Sequence, residues 1–412
     1  MNLNHMRKPA FACAALMLIA ACGEKQEAAA PADASYQETL MGQLLDAEPG
    51  DVIEIPEGRF AFDRSLSLTV DGVTIKGAGM DKSVLTFAGQ IAGAEGLLVT
   101  ASDFTIEDLA IEDTKGDALK ISEGENIIIR RVRTEWTGEP KTENGAYGIY
   151  PVQVKNLLME ESVAIGASDA GLYIGQSQNV VIRNNRAEYN VAGIEIENTF
   201  DADVYGNVAT NNTGGILVFN MPNLKQPGAR TRVFDNEIYE NNTKNFGLEG
   251  TAVASVPAGS GVVVTSNDNV EIFNNDIRDN KTSNVIVASV FSSGLATEGM
   301  EDDFDPYPEG IYVYDNAFDG GGDNPDGLDL QALKVAVAGP LGRLPDVLWD
   351  GYVDPALGGP GDVLCVQNGE ARVLNVDSPN DNKSPRIADD GVHDCAFEKL
   401  PAVELTGPLA GL

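Results

Sequence analysis

Histidine is almost missing from this chain: of 412 residues only His5 and His393 are histidine. Histidine acid–base and nucleophile–histidine chemistry are therefore excluded from the whole middle of the molecule. Positive charge is also scarce, 28 Lys and Arg against 63 Asp and Glu, for a formal charge of −35. A chain so acidic repels nucleic acid and polyanions at long range, and no nucleic-acid partner is expected. The four cysteines form no Cys-x-x-Cys pair, so there is no zinc spacing and no covalent haem site, and no phosphate-binding glycine loop is present. After Ala21 no apolar run is long enough to span a bilayer as a helix.

Before Ala21 stands one shorter apolar run. Arg7 and Lys8 precede the apolar run 10–21, and residues 1–21 read as a signal peptide, closing on Ile19-Ala20-Ala21 before Cys22. That ending resembles the lipobox of bacterial lipoproteins. The resemblance implies that Cys22 becomes a lipidated N-terminus, with membrane attachment through lipid only, and Gly23 after it resembles lipoproteins sent to the outer membrane. The expected location is the bacterial envelope, facing periplasm or surface. Residues 22–35, rich in Ala, Glu and Pro, cannot build a core and read as a tether. With Cys13 and Cys22 accounted for, Cys365 and Cys395 remain, 30 residues apart. In an oxidising compartment they are expected to pair, a staple worth about 3–4 kcal/mol.

The body, residues 36–322, is organised by a repeat. Ile75, Ile106, Ile129, Met159, Ile182, Val204, Val233, Ile272 and Val313 recur at spacings built on 22 or 23 residues, lengthened by insertions. Three positions after the anchor stand Asn185, Asn207, Asn236, Asn275 and Asn316; eight after it, Asn190, Asn212, Asn241 and Asn280. Asparagine tolerates left-handed corners, and its amide can both donate to and accept from its copy in the next coil, so ladders are expected. The alternation Val180, Ile182 and Ile194, Ile196 has period two and excludes an α-solenoid.

A second strand repeats in register: Gly171-Leu172-Tyr173-Ile174, Gly193-Ile194-Glu195-Ile196 and Gly215-Ile216-Leu217-Val218. Alternation sends Leu172, Ile174, Ile194 and Ile196 inward. It sends Lys120, Tyr150, Tyr173, Glu195 and Leu217 outward, as a ribbon of surface with coils about 4.8 Å apart. These glycine-led strands and x-V-x-I-x-N-N turns resemble the parallel β-helix repeat proteins of the pectin-lyase-like superfamily, over about residues 52–322. The implied fold class is all-β, a single right-handed parallel β-helix. AGLYIGQSQNVVIRNN, AGIEIEN, TGGILVFN and DPYPEGIYVYDN further resemble an uncharacterised family of exported bacterial β-helix lipoproteins. That family is often encoded beside a di-haem c-type cytochrome-like protein, which the resemblance offers as a partner.

At the ends, Leu40, Leu44 and Leu45 are spaced as one helical face before Pro49-Gly50, an N-terminal capping helix. Residues 323–412 read as a C-terminal cap. In it Leu330, Leu333 and Val337 form a helix over the open end of the stack, and Asn368-Gly369 turns a hairpin with Cys365 on its first strand.

Many enzymes of that superfamily work in a groove over the outward face of one parallel sheet, so the resemblance points to Tyr150, Tyr173 and Glu195. Mannuronan epimerases carry an Asp-Pro-His-Asp-like run where this chain has Leu172-Tyr173-Ile174-Gly175-Gln176, and the histidine is missing. Glu195 and Glu197 lie on one face about 6.6 Å apart, the separation of an inverting glycosidase pair. Tyr150 or Tyr173 with Lys120 offers a base and a cation for a lyase. The same Tyr150, Tyr173, Glu195 and Glu197, with Asn198, also suit plain sugar binding, by ring stacking and hydroxyl bonds. Because aliphatic Leu217 and Val263 follow Glu195, a binding or structural scaffold for a glycan or envelope protein is the leading expectation. A polysaccharide lyase or glycoside hydrolase is the alternative. No cofactor is expected; oxygen ligands between Asp319 and Asp326 would suit Ca²⁺ but lack the spacing of a calcium loop.

Cys22→Ser should release the chain from membranes into the soluble envelope fraction and abolish globomycin-sensitive processing. A variant that processes and fractionates as the wild type does would overturn the lipid anchor.

Overall fold

A computed structural model describes residues 34–294 and 299–412. The leader, Cys22 and most of the expected tether lie outside them. The described chain coils into a parallel β-helix. Three short strands make each turn, as in Ala170–Gly175, Gln178–Arg183 and Arg186–Glu188. The next turn repeats them at Ala192–Glu197, Phe200–Tyr205 and Val208–Thr210. One sheet stacks twelve strands and the other nineteen. All pairings between named strands are parallel except Arg386–Ile387 on Val373–Asn375.

The register is the one the repeat predicts: Ile75, Ile106, Ile129, Met159, Ile182, Val204, Val233, Ile272 and Val313 are successive partners. The column also extends one coil each way, to Ile53 and Val366. Branched aliphatics pointing into the coil axis form one continuous core, the placement that suits β-branched side chains on a pleated surface.

Both asparagine ladders form. Asn207 donates from Nδ2 to Asn236 Oδ1 at 3.0 Å and to the Ile182 carbonyl at 3.0 Å, while its Oδ1 accepts from the Asn185 N–H at 2.9 Å and Asn185 Nδ2 at 3.0 Å. The rungs Asn190, Asn212, Asn241 and Asn280 repeat the pattern. The left-handed backbone, however, falls one residue earlier, on Asn184, Gly206, Asp235, Asn274 and Asp315. Corner strain and ladder bonding are thus divided between neighbours, and the rung asparagines are there for their amides.

The ends differ from expectation in three places. Helix α1 (Ala34–Leu45) seats Leu40 and Leu44 on the core, one turn apart, but Leu45 lies 100° further round and is 81% exposed. The β-helix does not stop at residue 322: Val347–Trp349, Leu364–Gln367 and Val373–Asn375 add further parallel strands to the two sheets. Asn368-Gly369 therefore turns no hairpin. Asn368 is the last rung of the first ladder, accepting from Asn316 Nδ2 at 3.0 Å, and the strands on either side of it join different sheets. Helix α2 (Gly327–Ala338) forms where its spacing put it, yet it does not close the stack. Leu333 and Val337 pack on the outward face of the twelve-stranded sheet, against Leu348 and Leu374.

Cys365 and Cys395 are joined. From Cys395 the C-terminus runs back across the outside of the nineteen-stranded sheet. Lys399 lies 4.2 Å over the Tyr314 ring, the Val403 N–H reaches Asp203 at 3.2 Å and the Thr406 N–H reaches Asn156 at 2.8 Å. Leu405 and Leu409 cover Leu158 and Val181. The disulfide thus ties the base of a strap that lies across several coils.

Asn207→Ala should cost about 1–3 kcal/mol in unfolding free energy, because it strands the Asn185 amide groups and the Ile182 carbonyl in a buried corner. Chemical denaturation measures this, and an unchanged midpoint would contradict the ladder's structural role.

Candidate functional site

The outward column of the twelve-stranded sheet runs Lys120, Tyr150, Tyr173, Glu195, Leu217, Val263. The order is as expected; the exposure is not. Tyr173 is 4% exposed and Glu195 2%, so neither meets a ligand while the segments above them stay in place. Two insertions account for this. Val253 and Val256, on the long connection between Glu237–Tyr239 and Ser260–Thr265, pack over Tyr173, Leu217 and Val263. Residues 220–228 fold over the adjoining corners. Asn198 serves that second insertion: its Nδ2 donates to the Met221 and Gln226 carbonyls at 2.9 and 2.8 Å, and its Oδ1 accepts from the Met221 N–H at 2.7 Å. With its amide fully engaged, Asn198 leaves the expected ligand set.

Beneath the cover the site is a three-tyrosine cluster backed by carboxylates. The rings of Tyr147, Tyr150 and Tyr173 lie 4.4 to 4.8 Å apart by centroid. Tyr173 donates its hydroxyl proton to Glu197 Oε2 at 2.6 Å. Glu195 Oε2 is buried and has no hydrogen-bond partner, and Asp169 is buried nearby. Among the described residues no cation figures in the charges acting on Asp169, Glu195 and Glu197; Glu197 acts on both Asp169 and Glu195, and Asp169 acts on Glu195. Burial first, then the repulsion of Glu197 and Asp117, pushes the Asp169 carboxyl up to about 8. Burial, then Asp169 and Glu197, drives Glu195 well above the carboxylate range. Glu197 is also raised by burial, with the Tyr173 hydroxyl pulling the other way. At neutral pH the group therefore holds protons.

The open side of this cluster is where the expected cation stands. Lys120 Nζ lies 4.8 Å above the Tyr150 ring and 3.5 Å from Asp117, and Lys120, Tyr150 and Asp117 are half-buried. Burial raises the Tyr150 hydroxyl to about 12. The structure thus brings together Lys120, Tyr150, Tyr173, Glu195 and Glu197, and it adds Tyr147, Asp169 and Asp117. Those three were missed because they sit at or just before the start of their strands, outside the inward–outward alternation. An acidic or aromatic residue two or three places ahead of each core aliphatic (Asp117 before Leu119, Tyr147 before Ile149, Asp169 before Leu172) was the available signal.

The segment 319–326, weighed for Ca²⁺ against a plain turn, spends its oxygens on the protein. Asp326 accepts from the Ala258 N–H at 3.1 Å, and the Asp323 carbonyl accepts from Lys334. Among the described residues the carboxylates close enough to share a cation are instead Asp305, Glu309 and Asp354.

The model of the right-handed β-helix region matches residues 62–226, and the chain has the right-handed parallel β-helix, pectin-lyase-like fold. The A-module of the Azotobacter vinelandii mannuronan C-5 epimerase AlgE4 shares it with a TM-score of 0.54 and 18% identity, over 82% of this chain and 91% of that one. The AlgE6 A-module follows at 0.48 and 17%, over 82% and 89%. A GH136 lacto-N-biosidase from Eubacterium ramulus gives 0.47 and 13%, over 67% and 59%. No curated protein matches the chain by sequence. These structural neighbours act on carbohydrates, and at such identities what they share with this chain is the fold.

Asp169 gives the site a pH signature. Its unfolded carboxyl ionises near 3.8 and its folded one near 8. Between these values the unfolded state has released the proton that the folded state keeps, so this group's contribution to stability falls as pH rises. Asp169→Asn removes that titration and should stabilise the protein relative to wild type increasingly from pH 4 to pH 8. Unfolding midpoints at both pH values test it, and a larger gain at pH 4 would refute the assignment.

Proposed function

We propose that the chain is a carbohydrate-active enzyme working at the Glu195–Glu197 centre by acid–base chemistry. The observation that carries the reading is a set of buried carboxylates with no cation to neutralise it, bonded to Tyr173 and opening onto Tyr150 and Lys120. Uncompensated carboxylates cost stability when buried, and perturbed groups of this kind cluster at functional sites. The two glutamates occupy unlike environments. With residues 252–257 displaced from the column, Glu195, unpartnered, keeps its proton and serves as general acid, while Glu197, receiving the Tyr173 hydroxyl, is the more easily ionised and serves as base. Side chains two residues apart on a strand stand about 6.6 Å apart, inside the range of about 6.5–9.5 Å that leaves room for an attacking water in inverting hydrolysis. Tyr150 offers a ring face for a sugar, and Lys120 beside it meets hydroxyl or carboxylate groups. A scaffold role would leave the carboxylate cluster without a purpose, so we place binding second to catalysis.

Incubated with neutral and uronic-acid polysaccharides, the protein should release new reducing ends without unsaturated termini. Glu195→Gln should lower turnover at least a hundredfold with binding retained, and Tyr150→Ala should weaken binding. Unsaturated products would replace hydrolysis by elimination. Full turnover in Glu195→Gln would remove this centre from the chemistry.

A further inference from the structure

Beyond Glu195 the outward column changes character: Leu217, Val263, Ile286 and Leu348 follow in register. Aliphatic side chains on the outside of a sheet need a cover, and here it is shared between residues 252–257 and α2. The cover fits loosely. No residue of α2 is fully buried, and its Leu328 and Val335 are 83% and 50% exposed. Between cover and sheet lies a cavity of about 180 Å³, walled by Phe219, Met221, Val263, Ile286, Leu330 and Leu348.

Among the described residues one ionisable group, Asp350, borders it, and that carboxylate is already spent. Its Oδ2 accepts from the Ser289 N–H and hydroxyl and from the Ser292 hydroxyl, and its Oδ1 accepts from the Tyr352 N–H. Hydroxyls of Ser255, Thr265, Ser292, Ser293 and Ser378 also reach the wall, but Ser255, Ser292, Ser293 and Ser378 already donate to protein acceptors, so the cavity presents mainly hydrocarbon and offers water few free partners. Apolar cavities of about 150 Å³ stay dry and take up a single benzene ring, so size and lining agree on the kind of occupant.

We propose that this cavity is a binding site for one compact apolar group, an aromatic ring or a short aliphatic chain carried by a small ligand. It rests on packing alone and is independent of the chemistry at Glu195. Ring and chain share the property that the walls recognise, the absence of polar atoms over a volume of six to eight heavy atoms, roughly that of the ring such a cavity holds.

The test titrates the full chain with toluene and, separately, with 1-hexanol, followed by calorimetry and by the unfolding midpoint. One-to-one saturable binding that raises the midpoint is expected. Val263→Phe, which fills the cavity from the sheet, and Ala252→Phe, which fills it from the cover, should each weaken binding at least tenfold. If Val263→Phe does not fold, Ala252→Phe decides alone. Tighter binding of toluene identifies a ring as the natural group and tighter binding of hexanol a chain; either supports the site. Absence of saturable binding by both probes, or undiminished binding in a folded filled variant, would overturn it.

Discussion

A strand in this molecule satisfies its backbone only by lying on the strand one coil before and one coil after it. Every other feature depends on holding those coils in one register. A slip of a single residue would turn the whole aliphatic column outward. The ladders guard against that slip, because each rung meets its own kind: Asn185, Asn207, Asn236, Asn275, Asn316 and Asn368 exchange side-chain and backbone hydrogen bonds along one edge of the stack. Asn190, Asn212, Asn241 and Asn280 do so along another. The sheets and the ladders enforce the same alignment from different sides of the coil.

A rigid stack places outward side chains in straight columns, and what becomes of a column depends on what lies over it. On the nineteen-stranded sheet the C-terminal strap covers Leu158 and Val181 with Leu405 and Leu409 and is tied at its base by Cys365–Cys395. On the twelve-stranded sheet the insertions do the covering, tightly over Tyr173 and Glu195 and loosely further on. The same device thus yields a buried acidic cluster in one place and a largely apolar cavity two coils beyond.

Burial is what gives the acidic cluster its chemistry. On an open ribbon Glu195 and Glu197 would be ionised and hydrated. Beneath residues 252–257 burial raises the proton affinity of all three carboxyls, Glu197 raises that of Asp169 and Glu195 further, and the Tyr173 hydroxyl makes Glu197 unlike Glu195. A difference in proton affinity between neighbouring carboxyls is what acid–base catalysis requires.

The order of the coils, the inward and outward alternation, the nine anchors and the asparagine ladders were legible in the sequence because they recur. Backbone hydrogen bonding and period-two alternation impose the same residue type at the same place each time the chain returns. The C-terminal coil escaped notice, since the long insertion carrying α2 breaks the spacing and Asn368-Gly369 taken alone has the chemistry of a hairpin turn. The site was legible as a column and illegible as an environment. Lys120, Tyr150, Tyr173 and Glu195 were placed by counting, but that Tyr173 and Glu195 are buried, that Asp169 and Tyr147 join them and that Asn198 holds a loop follow from where residues 220–228 and 252–257 fold. Those segments belong to no repeat, and their positions are set by non-local packing against an outward face whose chemistry, from Tyr173 to Leu348, only the assembled stack brings together.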